Sequence, residues 1–216
     1  MKKLLLLTTF LFISLNCIAQ YGYRDSNRIG ISGGLTQLNL YSSQFNAKPE
    51  QGWIGGLSLR GNFYNNWQLV YGMQFTDSNF SLQSVVNDDI NFKLSAVQIH
   101  LLASYMVVQN HLTLEIGPVL QINGKLKIDE KDKLLFLKDS PFLQAQDILK
   151  INQINGNLMA GLTAGFKNFR LNINYQYGFT NIMNNLNGDE ALTIRNGNQR
   201  FKGNIGLLSG MLTIYL

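Results

Sequence analysis

From Phe169 to Thr180 the side chains alternate without a break. Phe169, Leu171, Ile173, Tyr175, Tyr177 and Phe179 are apolar or aromatic, and Arg170, Asn172, Asn174, Gln176, Gly178 and Thr180 between them are polar or small. A period of two sustained this long describes a β-strand whose faces meet two different environments, and a helix of period 3.6 cannot present it. Trp67 to Thr76 repeats the pattern, with Trp67, Leu69, Tyr71, Met73 and Phe75 on one face and Val70 the exception on the other. Leu112 to Ile122 does so again, setting Leu112, Leu114, Ile116, Leu120 and Ile122 against Thr113, Glu115, Gly117 and Gln121.

Five weaker segments complete a set of eight: 28–39, 52–63, 95–108, 156–166 and 203–216, the last apolar on both faces. The connections alternate in length. Tyr64-Asn65-Asn66, Gln109-Asn110 and Lys167-Asn168 read as tight hairpin turns, with Asn placed to tolerate positive φ. Residues 40–51, 77–94, 123–155 and 181–202 read as long loops. An even strand number puts both chain ends on the short-turn side, the asymmetry of bacterial membrane barrels with short periplasmic turns and long external loops.

Composition decides which face looks inward. Charged residues are 14% of the 216, against about 25% in ordinary soluble domains. The polar face consists mostly of Asn, Gln, Gly, Ser and Thr, poor decoration for a water-exposed surface but suited to an enclosed lumen. The apolar face is rich in large side chains. Trp53, Phe75, Tyr177 and Phe179 fall near one rim of a barrel, and Phe63, Trp67, Tyr105 and Phe169 near the other, as aromatic belts do at headgroup level. Closure is required, because an open sheet edge in lipid leaves backbone groups unpaired. The reading is an all-β, eight-stranded antiparallel transmembrane barrel in up-and-down order. The competing reading is a soluble β-barrel or sandwich.

The N-terminus reads as an export signal. Lys2 and Lys3 precede an apolar stretch, Leu4 to Leu15, and Cys17-Ile18-Ala19 sets small residues at the −3 and −1 positions for cleavage after Ala19. The alternative, a lipidated Cys17, requires a small residue just before it, and Asn16 stands there. Cleavage leaves residues 20–216 as the barrel and removes the one Cys, so neither a disulfide framework nor a Cys-rich metal site is available. Of 18 Lys and Arg, losing Lys2 and Lys3 leaves 16 against 13 acids. That balance is mild, and nothing in it supports nucleic-acid binding.

Residues 97–122, VQIHLLASYMVVQNHLTLEIGPVLQI, and 156–183, GNLMAGLTAGFKNFRLNINYQYGFTNIM, resemble the PorT-like outer-membrane barrels of Bacteroidetes-type bacteria. Ser104-Tyr105, Gly117-Pro118, Gly161 with Gly165, and Tyr175 to Ile182 stand at that family's motif positions, although His100 replaces its usual Pro and Ser104 its usual Lys. The resemblance implies an outer-membrane barrel. It also implies an accessory role in a protein secretion or gliding apparatus, since one member of that family is tied to such machinery.

Chemistry-bearing residues are sparse. Arg60, His100, Glu115 and Arg170 share the inward parity. They form either a proton path or binding site, or an ion-pair network that fills the lumen; eight strands enclose only enough room for side chains, which favours the second. Asp88-Asp89 and Asp189-Glu190 read as solvated loop tips, and His111 as a solvated residue after a turn. No P-loop, dinucleotide fingerprint, Gly-x-Ser-x-Gly elbow or His-Glu-x-x-His occurs. Neither an enzyme nor a cofactor is expected. In the third long loop Leu134, Leu135, Phe136, Phe142, Leu143, Ile148 and Leu149 cluster around Pro141. Residues 142–150 are expected to form a short amphipathic helix that caps the barrel or docks a partner; the plainer reading is a loop packed on its own rim. The function expected is that of a non-enzymatic barrel acting through its external loops or within an envelope assembly. The partners are outer-membrane lipid and envelope or secretion-machinery proteins. A small-solute channel is the third reading, disfavoured because aqueous pores need many more strands.

Overall fold

The computed structural model describes residues 27–216, so the export signal and its cleavage site lie outside the described residues. Eight strands follow one another around a closed barrel: β1 (Asn27–Tyr41), β2 (Lys48–Tyr64), β3 (Trp67–Gln83), β4 (Asp89–Val108), β5 (Leu112–Asn123), β6 (Ile154–Gly165), β7 (Phe169–Gly178) and β8 (Asn204–Tyr215). Each pairs antiparallel with its sequence neighbours, and β8 closes on β1 from Gly30↔Tyr215 to Tyr41↔Asn204. No helix among the described residues is long and apolar enough to cross a membrane.

The tight turns lie where the sequence places them. Asn65 and Asn110 take positive φ of 47° and 62°. The third turn is built differently: Gly165 carries the positive φ, 148°, while Asn168 donates from Nδ2 to the Tyr215 carbonyl at 3.2 Å. His111 is exposed but engaged, with Nδ1 3.0 Å from the Gly165 carbonyl and its ring edge-on to Phe166 at 5.7 Å.

At mid-barrel the two faces are as expected. Leu69, Tyr71 and Met73 on β3, Ile116 and Leu120 on β5, and Leu171, Ile173 and Tyr175 on β7 are all exposed on the exterior. Both aromatic rims also face outward, with Trp53 against Phe75 at 5.3 Å between ring centroids and Trp67 against Tyr105 at 5.0 Å. Val70, the exception in its strand, joins Leu102, Val119 and Met159 in a small apolar cluster inside the lumen.

Two of the four expected long loops are not loops. Residues 40–51 reduce to a short connection, 42–47, and most of 77–94 is strand, with a turn of only 84–88. The β3–β4 hairpin continues beyond the lipid-facing band, and there its polarity inverts. Outward positions change from Phe75 and Val97 to Asp77, Asn79, Lys93 and Ser95, while the inward ones become Phe80, Leu82, Ile90, Phe92 and Leu94. A strand with water outside and a core inside needs the opposite alternation from one in lipid, which makes this level the membrane boundary.

The two segments that do stay irregular, 124–153 and 179–203, fold over this extension. They contribute Leu126, Leu137, Leu143, Ala145, Ile148, Ile151, Ile182, Met183, Leu186, Leu192 and Phe201 to one continuous core with Leu38 and Leu40 of β1 and Ile205 and Leu207 of β8. Phe80 and Phe92 stack across the hairpin at 5.2 Å, and Phe45 stacks on Phe201 at 6.4 Å. The ambiguous last strand is thereby explained: its inward apolar residues at 205 and 207 belong to this cap. The amphipathic helix expected over 142–150 is instead a single 3₁₀ turn, Ala145–Ile148, whose start is held by Gln144 N donating to Asp147 Oδ2 at 2.9 Å. The residues before it are not helical: Phe142 is exposed, Leu143 is buried and Gln144 forms a bridge to Phe136. A six-residue helix, α1 (Glu190–Arg195), starts where Asp189 accepts from Leu192 N at 3.2 Å, and Arg195 ties it to Asp147 at 2.9 Å.

Candidate functional site

Arg60 points inward from β2. Its Nε donates to the Tyr215 hydroxyl at 3.0 Å, Nη1 to Gln68 Oε1 at 2.9 Å and Ser104 Oγ at 3.0 Å, and Nη2 to the Glu115 carboxylate. Glu115, inward on β5, also accepts from Thr113 Oγ1 at 3.1 Å and Ser104 Oγ at 3.4 Å. The two side chains are only 3% and 5% exposed. Removing charges from water is costly, and Coulomb attraction repays it only where the remaining donors and acceptors are also satisfied. All three Arg60 nitrogens have acceptors, which meets that condition. The pair spans the lumen, because β2 and β5 are separated by β3 and β4, whose Gln68 and Ser104 stand between them.

Arg170 and His100 occupy the same lumen but lie outside this ion pair. Arg170 is 1% exposed, and its Nε and Nη1 have no hydrogen-bond partner among the described residues; the same holds for Nδ1 of His100, 4% exposed. Of the four residues expected to form a network, the structure joins Arg60 to Glu115 and leaves two buried neighbours beside them. Inward parity is legible in sequence, and Thr113 shares a strand face with Glu115 two residues away; Gln68 and Ser104 as partners depend on the register of neighbouring hairpins, and Tyr215 reaches Arg60 only through barrel closure.

Above the charged layer, a cavity of about 20 Å³ is lined by Arg60, Gln74, His100, Glu115 and Asn174 among others. That is room for about one water molecule. Next comes a layer of amides centred on Gln121, whose Oε1 accepts from Gln98 at 3.1 Å, Asn157 at 2.9 Å and Gln176 at 3.0 Å. Its Nε2 donates to Asn123 Oδ1 at 2.7 Å, and Asn123 Nδ2 donates onward to Asn155 at 2.7 Å. The cap core follows. Charged, amide and apolar layers fill the barrel in turn, and the arrangement seals it.

The external surface divides the expected docking residues into two groups. Leu143 and Ile148 are fully buried, and Leu135 and Leu149 pack against the same core, so these four hold the cap together. Leu134, Phe136 and Phe142 remain exposed. Leu134 and Phe136, with Val85 and Val86 at the tip of the β3–β4 hairpin, line a groove of about 280 Å³ together with Ser84, Leu135 and Pro141, and Phe142 follows Pro141 in the chain. The main chain joins the groove walls, Val85 N donating to the Phe136 carbonyl at 2.9 Å. The hairpin's share of this groove was hidden because residues 77–94 read as a loop. All four residues of the acidic pairs are exposed, as expected of loop tips; Asp89 meets Lys48 at 2.7 Å, and Asp189 caps α1.

No family model and no curated relative matches the chain. Among solved structures it is similar to Neisserial surface protein A, with a TM-score of 0.51 and 12% identity over 90% of this chain and 99% of that one. It is similar also to Ail, the attachment invasion locus protein of Yersinia pestis, in complex with the heparin analogue sucrose octasulfate, with a TM-score of 0.51 and 13% identity over 88% and 99%. At these identities the likeness is one of fold, and the fold is that of an eight-stranded transmembrane β-barrel.

Proposed function

We propose that this chain is a non-enzymatic barrel of the outer membrane that works through its external cap, as a docking surface within an envelope assembly. The observation that carries the reading is the sealed lumen beneath a folded external domain. The charged, amide and apolar layers fill the lumen with almost wholly buried side chains, while the cap presents Val85, Val86, Leu134, Phe136 and Phe142 to water. Exposed apolar patches of several hundred Å² on otherwise polar surfaces mark interaction sites. An outer-membrane location follows from the fold's lipid-facing exterior together with the export signal read at residues 1–19. The resemblance carried by Gly117-Pro118 and Tyr175 to Ile182 favours a secretion or gliding apparatus as the assembly.

Two measurements test this reading. In planar bilayers the purified barrel gives no discrete conductance steps. In intact cells, a photo-crosslinker in place of Phe142 gives a discrete protein adduct, which is absent when the crosslinker replaces the lipid-facing Ile116. Stable channel openings, or equal crosslinking from both positions, overturn the proposal.

A further inference from the structure

We propose that the lysines at the external edge of β4 and β5 form a binding site for the phosphate-bearing anionic headgroup of a membrane lipid. On these strands the last outward apolar residues are Val97 and Ile122, which are cross-strand partners. The next outward step reaches Ser95 and Gly124, joined by Gly124 N donating to the Ser95 carbonyl at 2.8 Å. Beyond them the main chains of Lys93 and Lys127 pair through two hydrogen bonds of 2.8 and 3.0 Å, which sets the two lysines side by side, with Lys125 between Lys127 and the barrel. All three are exposed.

Their height suits a headgroup. Lys93 is four residues past Val97, roughly 10 Å above the apolar band for a tilted strand, and a lysine side chain bends back several ångströms toward the interface. Lys93 is already held by Asp77 at 2.8 Å. Lys125 and Lys127 have no acidic partner among the described residues. Elsewhere at this level Gln37 and Asn39 on β1, Gln51 on β2 and Asn79 on β3 are neutral, and the one acid beside the lysines, Asp77 on β3, is the partner of Lys93. The positive charge is therefore local to one edge, directly over the lipid belt, where the nearest anions in a bilayer are lipid phosphates.

The chain's two tryptophans supply the probe. Trp53 pairs with Asp77, and Asp77 with Ser95, which puts Trp53 two strands from the lysine edge; Trp67 is on the opposite rim. The Trp67→Phe variant of the full chain is reconstituted in phosphatidylcholine vesicles containing either brominated phosphatidylcholine or brominated phosphatidic acid. Trp53 quenching is expected to favour the phosphatidic acid by about fivefold or more. The preference is lost in K125Q/K127Q and retained in K131Q/K133Q. The Trp53→Phe variant, which reports from Trp67, shows no preference. Equal quenching by the two lipids, survival of the preference in K125Q/K127Q, or a matching preference at Trp67 overturns the proposal. Abolition by excess inorganic phosphate at constant ionic strength also overturns it, by assigning the site to a soluble anion.

Discussion

Glu115→Gln offers the sharpest test of how the lumen is held together. The substitution keeps the shape of the side chain and one of its oxygens, so Thr113 and Ser104 retain an acceptor, but it removes the negative charge facing Arg60. Arg60 then keeps hydrogen bonds to Tyr215, Gln68 and Ser104, all neutral, while Arg170, whose Nε and Nη1 have no hydrogen-bond partner among the described residues, lies in the same enclosed space. Breaking a buried pair from one side costs about 3–5 kcal/mol, because the remaining charge is left uncompensated. Replacing both members by apolar groups of similar volume removes that charge too, so Arg60→Met with Glu115→Leu is expected to cost about 2 kcal/mol less than the sum of Arg60→Met and Glu115→Leu made singly. The assay is equilibrium urea unfolding in lipid vesicles, followed by tryptophan fluorescence. With a slope of about 2 kcal/mol per molar urea, Glu115→Gln lowers the midpoint by roughly 1.5–2.5 M at unchanged slope. A loss below about 1 kcal/mol, or strict additivity in the double variant, would refute the view that the pair's coupling rather than its packing matters.

Two further predictions concern packing. A Cβ at Gly72 would run into the imidazole of His100, so Gly72→Ala costs about 1–3 kcal/mol and His100→Ala in the same chain relieves most of that loss, read by the same urea titration. Phe92 is fully buried in the cap and stacked on Phe80. Phe92→Ala should cost about 3–5 kcal/mol, spent in the cap, so brief trypsin treatment of intact vesicles cuts residues 124–153 at their lysines while a protected barrel fragment survives; loss of the whole barrel at the same rate would contradict the separate cap core.

Much of the barrel is written in local pattern. Phe169 to Thr180 and Trp67 to Thr76 declare their two faces because each residue meets lipid or lumen directly, and a pattern of period two needs no distant information to be read. The parity of Arg60, His100, Glu115 and Arg170 is legible for the same reason. The hairpin beyond Phe75 was not. Its apolar residues shift from odd positions to Phe80 and Leu82, which looks like a broken strand and is in fact an unbroken one passing from lipid into water. Nor could position alone decide between Leu143, wholly buried, and Phe142, exposed next to it.

The amino-acid order therefore settled the strand number, the closure and the facing of most side chains on the strongly alternating strands, because those answer to solvent contact one residue at a time. Tertiary structure alone decided that Arg60 finds Glu115 across two intervening strands, that a cap core joins residues as distant as Leu38 and Phe201, and that one edge sets Lys93 beside Lys127. Such contacts depend on the curvature and register of the closed sheet, which no local stretch of chain encodes.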